Sequence, residues 1–531
     1  MKLNYKRTIL VGFAFFLISA FWQAYDNAIP LTLTNKFGMS QTGSGVISAI
    51  DNILAVVLLP IFGAISDHCN SKRGRRTPFI LVGTALACIM LLFLSFADNA
   101  QLKKLDAVSE YNPTSLSVIY ESQKDATLTT PDGKDFVLSE KFSKEAFSNI
   151  TREITEDEKV KTNPDYTDYV APARQAYAAE VTEKDNSALI TFVVLLLGVL
   201  ISMAIFRSPA VALMPDVTLK PLRSKGNAVI NLMGTAGGIL VLLMGKAVFD
   251  TSSAKNALMS YTGYFGALIA IMLLALLIFM TFVKEPLWAK EMKEQSIALG
   301  LEEEEAEEEP KKRKLFGKKE KKEDASVRKL SKEEIRSLLL ILASVALWYM
   351  GYNAVTSKYS IYSSNVLNKD YNTTLLIAQG AAIISYLPVG FIASKVGRRK
   401  TILAGVALLA IAFGAASFMR ANSPDVVMYV LFAMAGIGWA TINVNSFPMF
   451  VELATGGNVG KYTGFYYTAS MAAQAITPWF GGWFMDKISF TALFPYAAIF
   501  VGLAFVTMYF VRHGDSRPEA KKGLEALDVD D

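Results

Sequence analysis

Apolar residues along this chain come in blocks of about 20, the length that crosses the hydrocarbon core of a bilayer, divided by short polar turns. Twelve blocks are read, at residues 8–34, 43–66, 77–96, 188–214, 226–250, 260–284, 336–356, 372–395, 399–419, 425–448, 463–485 and 490–512. Two long polar stretches, 97–187 and 285–335, interrupt them. The pattern predicts an all-α membrane protein of twelve transmembrane helices. Its parts are an N-terminal six-helix bundle (1–284) with an extracellular insertion (97–187), a charged cytoplasmic linker (285–335), and a C-terminal six-helix bundle with a short tail (336–531). Lys2, Lys6 and Arg7 precede the first block as they would in a signal peptide. That block is too long for one and contains Asp26, so it is expected to stay as the first span.

Composition agrees with this class: 52% of the 531 residues are hydrophobic and only 19% are charged. The short loops after blocks 2, 4, 8 and 10 hold Lys72–Arg76, Lys220–Lys225, Arg398–Lys400 and Lys461, whereas alternate loops hold single cations such as Lys36, Arg420 and Lys487. The positive-inside rule then places both termini and the linker in the cytoplasm, with the plasma membrane as the expected location. The net charge of +5 reports this topology and gives no sign of nucleic-acid binding. Cys69 and Cys88 imply no disulfide framework, and two histidines, His68 and His513, make no metal site. No nucleophile–base set, phosphate loop or metal cluster is found, so neither an enzyme nor a cofactor is expected. The linker run "EEEEAEEEPKKRKLFGKKEKKE" reads as a solvated tether or a frayed helix, with its lysines available to anionic lipid. The insertion reads either as a small folded cap or as a loose loop.

The two halves resemble each other. Asp216 and Lys225 follow block 4 nine residues apart, and Glu452 and Lys461 follow block 10 at the same spacing. "GAISDHCNSKRGRRT" after block 2 answers "GFIASKVGRRKT" after block 8. Gly74 and Gly397 differ by 323 positions and Asp216 and Glu452 by 236; the mismatch of 87 matches the length of the insertion between them. Two parallel six-helix repeats, pseudo-symmetric and with a ligand site between them, are the architecture of the major facilitator fold. Positive-inside anchoring explains the loop cations. The repeated acids fit better with a breakable latch on the cytoplasmic side, built from Asp67, Arg73, Arg75, Arg76, Asp216, Arg223, Lys225, Arg398, Arg399, Glu452 and Lys461.

The segment "GAISDHCNSKRGRRTPFI" (63–80) resembles the sucrose–proton symporters of plants and their animal relatives, which carry a segment like GYYSDRCTSRFGRRRPFI. The match covers Ser66, Asp67, Cys69, Ser71, Gly74, Arg75, Arg76, Pro78, Phe79 and Ile80. "PAVALMPD" (209–216) is similar to that family's PARALLAD, and Asn227 and Ala228 continue like its Arg-x-x-x-Asn-Ala segment. The resemblance implies a sugar–cation symporter of the glycoside–pentoside–hexuronide group. Val211 stands where those symporters carry an arginine, and "AVVLL" before Pro60 stands where melibiose-type relatives carry a carboxylate pair. That departure weakens any transfer of sodium coupling; a proton is the expected coupling ion.

Ionisable groups at membrane depth are costly and mark a pathway by default. Asp26 lies about seven residues from the outer end of its block and Asp51 about eight, so antiparallel helices bring them to similar depth. Near carboxylates suit proton coupling. A packing hydrogen bond for Asp26 and simple hydration for Asp51 are the plainer alternatives. Pro30 frees the Asp26 carbonyl, Asn27 and Asn52 add amides, and Trp22 and Tyr25 share a face with Asp26. Arg207 either neutralises a cavity acid or snorkels toward the cytoplasm. In the second half the candidates are Trp348, Tyr352, Asn353, Gln379, Asn443, Asn445 and Gln474. The expected function is a sugar–proton symporter acting as a monomer by alternating access. A drug or metabolite antiporter and a non-transporting sugar receptor are the alternatives.

Overall fold

The computed structural model describes residues 3–156, 159–219, 222–299, 331–451 and 459–513. The six long helices of the first half are α1 (Tyr5–Asn35), α2 (Gln41–Asp67), α3 (Thr77–Lys104), α4 (Ser187–Asp216), α5 (Arg223–Ala247) and α6 (Thr262–Phe282). Those of the second half are α7 (Lys332–Tyr362), α8 (Tyr371–Val396), α9 (Arg398–Ala416), α10 (Asp425–Val451), α11 (Val459–Lys487) and α12 (Leu493–Tyr509). Among the described residues, ten helices are long and apolar enough to span a membrane. Helices α8 and α11 fall outside that ten and complete the two sets of six. Most helices run several residues beyond the apolar blocks, because polar caps rather than hydropathy end them. Asn4, Ser40 and Asp370 each accept a backbone N–H at the start of α1, α2 and α8, and Ser331 and Glu334 form a reciprocal box at the start of α7.

Each half has its own hydrophobic core, one around Phe21, Phe206 and Phe279, the other around Trp348, Tyr359 and Phe494. The side bearing both termini is here termed inner and the opposite side outer. On the outer side Lys36, which the charge pattern left as a free loop cation, is fully buried. Its Nζ lies 2.5 Å from the Asp98 carboxylate, which also accepts the Tyr261 N–H at 3.0 Å. A buried lysine without such a partner would be strongly destabilising.

The insertion is a folded cap. Its elements are helix Pro113–Gln123, hairpin β1 (Thr127–Thr129)–β2 (Asp135–Val137), hairpin β3 (Glu153–Glu156)–β4 (Lys159–Thr162) and helix Ala171–Lys184. Leu105, Leu138, Phe147, Tyr166 and Val170 form its separate core. On the inner side, helix Glu285–Ala298 lies against the first half through buried Trp288 and an Arg7–Glu291 pair at 2.5 Å. The acidic–basic run of the linker lies outside the described residues.

Candidate functional site

Asp26 sits nine residues from the outer end of α1 and Asp51 ten from that of α2, depths of about 14 and 15 Å at 1.5 Å per residue. Asp26 lies within electrostatic reach of both Asp51 and the Arg207 guanidinium, and Asp51 is also within reach of Arg207. Arg207 extends over the Trp22 ring, 5.5 Å from its centroid. Asn52 donates to the Asp51 carboxylate at 2.9 Å. Two acids, one guanidinium and an aromatic face therefore gather on the half formed by α1, α2 and α4. One net negative charge remains when both acids are ionised, so proton uptake by either acid neutralises the group.

The second half holds an aromatic stack. Tyr352 and Trp439 lie parallel with centroids 3.6 Å apart, and Tyr349 meets the Trp439 ring edge-on at 5.2 Å. Between the halves, Gln379 of α8 donates to Gln23 of α1 at 2.7 Å. Four donors, Trp22 Nε1, Tyr25 hydroxyl, Asn27 Nδ2 and Asn353 Nδ2, are buried with no hydrogen-bond partner among the described residues, as is the acceptor Gln379 Oε1. Buried polar atoms normally find partners, so such a set is what a hydroxyl-rich ligand or ordered water would satisfy.

Two expectations for this site are corrected. Trp348 does not face the other half: it is fully buried on the α7 face that includes Gly351, which packs on Ala497 and Val501 of α12. Asn445 is also buried, and its amide donates to the Thr441 carbonyl one turn back in α10. Asn443 and Gln474 are half-buried.

The loop after α2 forms a network, but within one half. Buried Arg76 donates through Nε to Asp216 at 2.8 Å and also contacts Ser66 and Asp67; Arg75 pairs with Asp216 at 2.7 Å. Glu285, read from sequence as the first linker residue, is the hub. Its carboxylate accepts the N–H groups of Arg75, Arg76 and Thr77 at 2.8, 2.9 and 2.7 Å, and the Thr77 hydroxyl at 2.7 Å. This is an anion at the N-terminus of α3, where helix dipole and free N–H groups converge. Gly74 has φ +108°, and a Cβ there would fall 2.3 Å from the Glu285 carboxylate. Gly74→Val should therefore destabilise the fold by about 2–3 kcal/mol, measured as a lowered Tm in detergent.

The other gate candidates are placed differently. Arg73 is exposed on the loop, and Arg399 donates to the Tyr509 carbonyl, tying α9 to α12 inside the second half. Arg398 is half-buried at the start of α9. Glu452 and the side chains of Arg223, Lys225 and Lys461 lie outside the described residues. These hydrogen bonds of Arg75, Arg76 and Arg399 each stay within one half.

The outer side is closed instead. Asp486 of α11 accepts the first two N–H groups of α2, Gln41 and Thr42, at 2.8 and 2.6 Å. Fully buried Lys358 of α7 donates to the Gln41 carbonyl at 2.8 Å and the Ser44 hydroxyl at 2.6 Å. Asp370 accepts from Ser252 at 2.8 Å, and Tyr371 donates to Thr251 at 2.6 Å. Burial opposes charge on Asp370, but hydrogen bonds from Thr373, Ser252 and the Asn372 N–H hold its carboxyl below the usual range. A depressed pKa gives stability that is present at neutral pH and lost only in strong acid, so the Asp370 contacts persist between pH 5 and 8.

The family model of the Major Facilitator Superfamily matches residues 11–103 and 371–528. A sucrose transport protein of Oryza sativa subsp. indica, SUT5, is 34% identical over 79 residues, covering 14% of this chain and 15% of that protein. Sucrose transport protein SUC3 of Arabidopsis thaliana is 40% identical over 76 residues, covering 14% and 13%. The matched stretch thus spans about a seventh of these relatives' length. Among solved structures, the inward-open xylose transporter XylE of E. coli aligns with TM-score 0.56 at 14% identity, covering 99% of both chains. A D-xylose-proton symporter aligns with TM-score 0.55 at 13% identity, covering 96% of this chain and 99% of its own. At these identities the likeness establishes the fold.

Proposed function

Since the Major Facilitator Superfamily model matches residues 11–103 and 371–528, we propose that the chain is a secondary transporter of that superfamily that moves a sugar together with a proton by rocking its two halves. The observation that carries this reading is the meeting of Asp26, Asp51 and Arg207 on one half, while the other half holds the Tyr352–Trp439 stack. The C–H faces of a sugar ring stack on aromatic rings while its hydroxyls satisfy the unpartnered polar atoms around them. Arg207 offsets the charge of one acid, and the second acid is the group that loads and unloads the proton. The names of the partial relatives, sucrose transport proteins, point to the same substrate class.

The protein acts as a monomer in the plasma membrane with both termini cytoplasmic, its lysines and arginines facing anionic lipid. The cluster of Arg75, Arg76, Asp67, Asp216 and Glu285 is then the cytoplasmic half of the gate, seen here assembled on one half while the outer side is shut. The two bundles and the linker between them form its moving parts.

A panel of mono-, di- and trisaccharides, titrated into purified protein at pH 5.5 and 7.5, tests the reading. One sugar class should bind, and more tightly at the lower pH. Trp439→Ala should weaken that binding about 10–100-fold, the worth of about 1.5–3 kcal/mol from a lost aromatic platform. Binding of apolar cations with no response to sugars would support an antiporter instead.

A further inference from the structure

The cap touches both halves, and does so unequally. On the first half it is covalently continuous with α3 and α4, and one of its polar contacts is fully buried. Gln101, fully buried, donates to Thr182 at 3.0 Å and to the Lys36 carbonyl at 2.8 Å. Gln175 donates to the Met39 carbonyl at 3.2 Å, and Lys104 pairs with Asp185 at 2.7 Å. On the second half the cap reaches three successive outer loops, each through few groups that are half-buried or exposed. Asn368 donates to the Thr162 hydroxyl at 3.1 Å. Asn422 donates to the Thr162 carbonyl at 3.4 Å, and Arg420 lies 3.5 Å from Asp132 with both side chains about half exposed. The Thr491 N–H donates to the Pro131 carbonyl at 3.2 Å.

Where cap and both halves meet, the packing is incomplete. A small void, with room for about one water molecule, is lined by Asn35 of α1, Tyr166 and Arg174 of the cap, Thr251 after α5, and Asn365 after α7. A junction that holds a void and a buried arginine is easier to part than a dry apolar seam.

We propose that the cap is a lid which travels with the first half, clasps the outer loops of the second half only while the outer side is closed, and releases them each time it opens. The unequal attachment fixes which side lets go: the covalent continuity and the buried Gln101–Thr182 contact hold, and the few non-covalent contacts to the second half break. Thr162, Asp132 and Pro131 form the clasp, and Asn368, Arg420, Asn422 and Thr491 its receiving surface. The lid thereby adds to the closed population without touching the substrate. This inference rests on the alternating-access reading above.

The test uses full-length protein with Cys69 and Cys88 replaced and cysteines at Thr162 and Asn368, joined by a short cleavable bifunctional thiol reagent. Before cross-linking, this variant should transport as the cysteine-free parent does. Cross-linking should cut transport at least tenfold, with recovery on cleavage. Undiminished transport by fully cross-linked protein would overturn the lid while leaving the transporter reading intact. Absence of transport in the parent would fail that reading instead. A second arm then decides the lid alone: a cysteine reporter at Ser48 in the outer seam should label several-fold faster in Arg420→Ala/Asn422→Ala than in the parent. Equal labelling would overturn the proposal whatever the substrate.

Discussion

Asp26→Asn should abolish sugar accumulation driven by a pH gradient while leaving exchange of sugar across the membrane within about threefold of wild type. The sign follows from the electrostatics. With both acids ionised, the group around Arg207 carries a net negative charge in a buried site, and a proton relieves it. Asparagine is neutral at every pH, so it mimics the loaded state and lets the halves rock without a proton. A gradient of one pH unit is worth about 1.4 kcal/mol per proton and sustains at most about tenfold accumulation at one proton per sugar. That whole factor should fall to about one in the variant. Counterflow in proteoliposomes reads exchange and gradient-driven uptake reads coupling; loss of both together would make Asp26 a substrate or packing residue only.

The second large effect is expected at the outer seam. Lys358→Met should open it, because the ammonium bridges α7 to the carbonyl of Gln41 and the hydroxyl of Ser44 across the two halves. Breaking these charge-assisted bonds costs the closed state about 2 kcal/mol, a roughly 30-fold shift toward the outward-facing form. The same variant removes a buried cation, so the fold itself should not suffer. Labelling of a cysteine at Ser48 from the outer side should rise accordingly. Unchanged labelling would mean that the close contact of α2 with α11, where Gly45 meets the Pro478 carbonyl and Gly482 that of Gln41, holds the seam shut alone. Asp486→Asn should act in the same direction with a smaller effect, because Asp486 is solvent-exposed.

Asp26, Asp51 and Arg207 were legible as single charges in apolar blocks, and helix length alone set the two acids at matching depth. Gln23 was not: one amide beside Trp22 gives no sign that it meets Gln379, 356 positions away. Lys358 lies just beyond the seventh apolar block and reads as a cation at its end, and its partners 317 and 314 residues away leave no local trace. Trp348 failed for a different reason. A helix that is apolar all round gives no face to read, and packing against α12 decides where the indole goes. Glu285 looked like the first of many linker acids. Its part in holding the start of α3 exists only because Gly74 leaves space for its carboxylate. The cap was ambiguous because Leu105, Phe147 and Tyr166 belong to short elements of mixed type, so no single period marks their common core.

The central claim is that the two halves share one proton-binding chamber with a sugar. It is tested most directly by sealing the wild-type protein into liposomes with an internal pH indicator and adding its sugar outside. The account predicts internal acidification that starts with sugar addition, saturates with sugar concentration, and vanishes in Asp26→Asn. Sugar entry with no movement of the indicator, or acidification that persists in that variant, would contradict it.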